Sequence, residues 1–166
     1  MRHSKKATAS NEPSSPQQRL QSIIKANGKV QEADIAAVFD QLKPIEPEFL
    51  IGDWQGGSFD TGHPSHALLL QSNWAGKRFR SIDDVDPVMV YRDGARVWEK
   101  RAGNARIREV KFRGVVSAAM VYDTLPIIDS FRYVADDMVL GAMDSKMNGD
   151  DAGTYFFYLK RMGSKL

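Results

Sequence analysis

The chain has no cysteine among its 166 residues. That excludes disulfides, a thiol nucleophile and thiolate metal sites. No apolar run approaches the ~18 residues a membrane-crossing helix needs. The basic start, Met1-Arg2-His3-Ser4-Lys5-Lys6, is not followed by an apolar block, so no secretory signal is expected and a cytoplasmic setting is. There is neither a GxGxxG fingerprint nor a Gly-x4-Gly-Lys-Ser/Thr loop, which removes the common nucleotide-phosphate cradles. Histidine is scarce, with three residues. The net charge of only +2 argues against a dedicated nucleic-acid binder, and no nucleic-acid partner is expected.

What is present reads as one ordinary globular domain, 42% hydrophobic and 27% charged. Residues 1–15 are polar and Pro-rich, with little to bury, and read as a disordered tail. Ser15 before Pro16 is a helix start, and Leu20, Ile23 and Ile24 make an apolar stripe that ends at Asn27-Gly28. A second helix begins near Glu32, carries Ile35, Val38, Phe39 and Leu42 on one face, and ends at Lys43-Pro44. A third is expected over Ser65–Trp74, closed by Ala75-Gly76-Lys77 with Gly76 as its cap. Beyond Pro87 the period changes to two. Asp93-Gly94 marks a hairpin, further turns fall at Gly103-Asn104, Arg113-Gly114 and Ala135–Asp137, and Val115–Tyr122 is apolar on both faces and therefore central. Helices followed by seven or eight strands with short reversals give an α+β, mostly β domain, antiparallel and closed or nearly closed.

One stretch organises the rest. In Gly52-Asp53-Trp54-Gln55-Gly56-Gly57-Ser58-Phe59, glycines surround Trp54. This is a strand that bends around a plug of aromatic carbon. Downstream, Gly114, Ser117, Ala118, Ala119, Gly141 and Ala142 put small side chains on neighbouring strands. Something must take that volume: either large aromatics opposite, or a ligand. The candidate lining is Trp54, Phe59, Met120, Tyr122, Phe131, Tyr133, Met138, Met143, Tyr155 and Phe157, with Arg132 to anchor an anionic head group. The alternatives are an enzyme using Asp123, Asp129 or Tyr122 as acid and base, and a ligand-free stress or interaction protein with a solid core. An Arg132–Asp pair across strands is the structural alternative for that arginine. His63 and His66, three apart, are an alternative metal pair, although a capping role suits His63 better; no cofactor is expected. The basic run from Lys77 to Arg113 is interleaved with Asp83, Asp84, Asp86, Asp93, Glu99 and Glu109. It reads as a solvated sheet face, with peripheral contact to an anionic membrane as the functional alternative.

Gly52-Asp53-Trp54-Gln55-Gly56 matches the pattern that names the bacterial GXWXG family. Met120–Arg132, Leu140–Asp144 and Tyr155–Arg161 resemble the domain of unknown function that follows it. The resemblance spans about Phe39–Met162 and divides the domain into a helical segment (16–50), a GXWXG segment (51–99) and C-terminal strands (100–162). It implies a calycin-like β-barrel with two or three short N-terminal helices. Relatives of that shape hold fatty acids, other lipids or haem. The late histidine that carries haem iron in such barrels is missing here, so a small hydrophobic or amphiphilic molecule such as a fatty acid or phospholipid is the expected ligand.

Overall fold

The computed structural model describes residues 12–163; of the tail expected over 1–15, residues 1–11 lie outside them. Two helices come first, α1 (Pro16–Ala26) and α2 (Glu32–Gln41). Ser15 caps α1 with a reciprocal bond to Gln18, and Asn27 ends it in a left-handed conformation. Strand β1 (Gly52–Ser58) leads through a third helix, α3 (Pro64–Gln71), to β2 (Trp74–Phe79). The remaining strands are β3 (Val85–Arg92), β4 (Ala95–Trp98), β5 (Ala105–Phe112), β6 (Val115–Tyr122), β7 (Ile127–Ala135), β8 (Met138–Ser145) and β9 (Tyr155–Arg161). The turns at Asp93-Gly94 and Arg113-Gly114 take two consecutive positive φ values each, as tight hairpins require.

All nine strands form one antiparallel sheet whose pairings run in a ring, β1-β2-β3-β5-β6-β7-β8-β9 and back to β1. Strand β4 hangs from β3 as a hairpin arm. The weakest join is β3 to β5, a single pair between Val85 and Ala105. Alternation along the strands makes two cores. Inward, Trp54, Phe79, Ile107, Met120, Tyr122, Phe131, Tyr155, Phe157 and Leu159 form one cluster. Outward, Leu140, Ala142 and Phe156 pack with Leu20, Ile35, Val38 and Phe39 of the helices. So α1 and α2 cover the outer wall of β7–β9. No helix among the described residues is long and apolar enough to cross a membrane.

The segment after α3 departs from expectation. Asn73 takes a positive φ and ends the helix early, and Trp74 already pairs with Val90 in β2. Gly76 is a strand residue, with φ +90° and no room for a Cβ, which would sit 1.8 Å from the carbonyl oxygen of Trp54. Register shifts flank it on both sides. The bulge leaves Trp74 and Lys77, three apart, facing the same cavity, where plain alternation would separate them. Arg96 on the β4 arm serves the disturbed backbone, donating to the carbonyls of Trp54, Ala75 and Lys77.

Candidate functional site

Inside the ring, beside α3, lies a cavity of about 210 Å³. Its wall is mostly apolar, with Leu69, Trp74, Val88, Leu125, Ile127, Met143 and Phe157. Leu68 and Met147, both more than half exposed, stand at its mouth. The cavity also holds a buried ion pair. Lys77 Nζ lies 3.0 Å from Asp129 Oδ2, and the two residues are 3% and 2% exposed. The ammonium also donates to the Pro87 carbonyl at 3.0 Å and lies 5.1–5.8 Å from the ring centres of Phe157, Tyr122 and Trp74.

Asp129 reaches this position by strand period: on β7 it shares the inward face with Phe131. Its second oxygen, Oδ1, is buried and meets no donor among the described residues. A buried carboxylate oxygen without a donor is costly, so it marks a place where another group is wanted. Burial pushes the Asp129 carboxyl above the usual range, with Lys77 opposing. Burial, and then the charge of Asp129, push the Tyr122 phenol well up. The site therefore offers an ammonium, a carboxyl and two phenols to a molecule whose remaining surface is hydrocarbon.

A second feature runs through the wall. Tyr155 lines the cavity and its hydroxyl bonds Ser58 Oγ on β1, which bonds His66 Nδ1 on α3 at 2.7 Å. Ser58 and His66 line an outer cleft of about 820 Å³, which shares Leu69 and Trp74 with the cavity. His63 accepts the Ser65 N–H as the N-cap of α3, and its ring stands 5.3 Å from that of Tyr155. Burial lowers its pKa.

Comparison with known proteins places the chain in a family. The GXWXG protein family matches residues 37–94, and the domain of unknown function DUF4334 matches residues 103–161. A crystal structure of a protein from Thermomonospora curvata is 44% identical over 88% of this chain and 97% of its own, with a TM-score of 0.81. The chain belongs to the GXWXG family. No curated protein matches it.

In this GXWXG protein the two matched segments share one ring: the first supplies β1–β3 and the second β5–β9. The motif itself is structural. Gly52 bends with φ +132° beneath Arg161, the Trp54 N–H donates to the Leu50 carbonyl at 2.7 Å, and Gly56 clears space for the Trp74 ring.

Of the residues expected to line a ligand site, Tyr122, Met143, Tyr155 and Phe157 stand in the cavity wall, together with Asp129, expected only as an alternative acid or base. Met120, Phe131 and Trp54 are inward-facing but belong to the solid part of the core. Phe59 lies on the outer face and borders the outer cleft. Met138 packs beneath the helices, and the Tyr133 hydroxyl donates to Asp136. Arg132 is not the ligand anchor. Three residues from Asp129 on a strand, it points outward, where it donates to the carbonyls of Phe39, Leu42 and Phe112. The Arg132–Asp pair is likewise replaced by Lys77–Asp129. Asp123 is tied to Arg106 outside the cavity. His63 and His66 go to separate partners, Ser65 and Ser58. The basic run is largely paired, Arg78 with Asp53, Arg80 with Asp84 and Asp86, and Arg108 with Asp83.

Sequence reasoning missed Lys77, which was read as a helix-end lysine. The signal was Gly76 between Trp74 and Lys77, a glycine that marks a bulge in a strand rather than the end of a helix.

Proposed function

We propose that the ring of strands is a small calycin-like barrel and that its cavity binds a small amphiphilic molecule, apolar over most of its surface and with one polar end. The observation that carries this is Asp129 Oδ1, buried without a donor beside Lys77 in an otherwise hydrocarbon-lined space. The polar end would sit on Lys77, Asp129 and Tyr122. Size narrows the ligand. An apolar cavity of ~150 Å³ is enough for benzene. At about 210 Å³ the site suits on the order of eight to ten non-hydrogen atoms by the same ratio. A whole long-chain fatty acid or phospholipid does not fit this volume; a short-chain or single-ring molecule does.

The test is a titration of isotopically labelled protein with acetophenone, 1-phenylethanol and ethylbenzene, read by amide chemical shifts. The two oxygenated probes should bind and move β2, β7 and β9, with ethylbenzene weaker. Val88→Phe, which fills the cavity, should abolish this. Probes that leave those strands untouched would overturn the reading.

The raised, half-satisfied Asp129 carboxyl favours a second reading, proton transfer on such a molecule, with Asp129 as base and Tyr122 as hydrogen-bond donor. Deuterium exchange from D2O into the methyl group of acetophenone measures it directly. Exchange no faster than in buffer, or unchanged in Asp129→Asn, would leave a binding site only.

A further inference from the structure

The chain His66–Ser58–Tyr155 has a property that follows from counting protons. Ser58 Oγ touches both His66 Nδ1 and the Tyr155 hydroxyl, and a serine hydroxyl has one proton to give. With a neutral His66 whose proton is on Nε2, Ser58 donates to Nδ1, so Tyr155 must donate to Ser58. Tyr155 is part of the cavity wall, and toward a ligand that reaches its hydroxyl the tyrosine oxygen then has only lone pairs left. With His66 as imidazolium, Nδ1 donates to Ser58, Ser58 turns its proton to Tyr155, and the tyrosine proton is released. One proton arriving on the outer-cleft side reverses both links. Burial holds the Tyr155 proton well above its ordinary range, so the phenol stays protonated in both arrangements.

We infer that His66 sets the class of molecule the cavity takes: hydroxyl-bearing ligands at either charge, because a hydroxyl both donates and accepts, and acceptor-only ligands such as ketones and aldehydes only when it is charged. This rests on the cavity being a binding site, as proposed above. It adds a specificity-determining residue that lies outside the cavity and touches no ligand in it. Other ionisable groups face the same chain. Asp129, Lys77 and Tyr122 share the cavity with Tyr155. The His63 ring packs against Tyr155 and feels Glu32. Lys29, Asp60, Tyr91 and Tyr158 border the outer cleft with His66. Any of these that changes the pH profile does so without Ser58; the His66 effect requires it.

The experiment measures dissociation constants for acetophenone, an acceptor only, and 1-phenylethanol, donor and acceptor, across roughly pH 5 to 8, where histidines change charge. In the unaltered protein, the ratio of the ketone's Kd to the alcohol's should fall about three- to tenfold as pH falls, the worth of one hydrogen bond. Ser58→Ala and His66→Phe should hold that ratio flat. A flat ratio in the unaltered protein, with both probes bound, overturns this inference and leaves the cavity reading standing. A ratio that falls equally in Ser58→Ala also overturns it, and passes the effect to Asp129 or another group. Failure of both probes to bind at any pH overturns the cavity reading and this inference with it.

Discussion

The two ends of the ring solve the same packing problem in opposite ways. At the Trp54 end the interior is solid. Phe49 packs on Trp54 and Tyr133, and the Arg161 guanidinium lies 4.1 Å over the Trp54 ring while donating to the carbonyls of Phe49 and Ile51. Toward the middle, Phe79, Phe131 and Phe157 meet edge to face with centroids about 6 Å apart. Past Phe157 the rings no longer meet across the interior, and Trp74, Lys77, Asp129 and two phenols stand around a hollow. A buried ion pair stabilises less than hydrocarbon of the same volume, because desolvation offsets its attraction. The Trp54 end is therefore where stability is concentrated, and the Lys77 end is where some of it has been given up.

The largest effect should come from breaking the solid end. Trp54→Ala removes a fully buried indole and leaves the Leu50 carbonyl without its donor. A loss of about 4–5 kcal/mol is expected, read by denaturant unfolding. Filling the vacated space with ligand should not rescue it.

Lys77→Met comes next, at about 3 kcal/mol, because it leaves Asp129 buried without a partner. The cost should depend on pH in a fixed direction. Burial raises the Asp129 carboxyl in the folded state, so the folded protein holds that proton more tightly than the unfolded chain. Such a group adds stability that is complete below the unfolded value of about 3.9 and is lost as pH rises through the raised value. Lys77→Met removes the charge that opposes the rise, so it should be mild near pH 4 and severe at pH 8. The double change Lys77→Met with Asp129→Leu should restore most or all of the loss. If the single variant were equally stable at both pH values, Asp129 would not be the group left exposed by it.

Much of the solid end, and of the wall around the ring, was legible from residues. Trp54 among glycines, the helix stripes, the Asp-Gly and Arg-Gly turns and the two-faced β6 all follow from local chemistry. The hollow end was legible only as a surplus of small side chains, and that surplus misled in part. At Gly141 the missing side chain is replaced by the tip of Phe157, 2.4 Å from where a Cβ would stand. Arg132 misled for another reason: an arginine close to two carboxylates suits a ligand anchor or a pair with an Asp across strands, but three positions from Asp129 on one strand it faces the opposite wall. Lys77 and Asp129 lie 52 positions apart in the chain, and only the closed ring brings them together; no local pattern carries that information.

Gly141→Ala joins the two regions in one substitution. The nearest neighbours of the new methyl are all at the far end of the Phe157 ring, its Cζ and Cε atoms, and that ring borders the cavity. Overpacking a solid core forces backbone shifts, but here the ring has somewhere to go. The cost should stay near 1 kcal/mol, at the low end for an overpacked site, while affinity for acetophenone falls. A larger loss of stability with affinity unchanged would mean that Phe157 is held by the solid end and cannot yield.

The smallest effect should come from a pair outside both regions. Arg113 at the β5–β6 turn bonds both carboxylate oxygens of Asp40 on α2, with each side chain more than a third exposed. The hydrogen bond from Arg113 lowers the Asp40 carboxyl, against a smaller opposing effect of burial. A carboxyl lowered on folding adds stability above about pH 3.9 that disappears as pH falls through the lowered value, the reverse of Asp129. Water and salt screen this pair, so Arg113→Ala should cost only about 0.5 kcal/mol at neutral pH and less in 1 M salt. Lys77→Met should keep its full cost in that salt, because ions do not reach the cavity floor. Equal salt sensitivity in the two variants would mean that the Lys77–Asp129 pair is open to solvent, and the contrast between a hollow end and a solid one would fail with it.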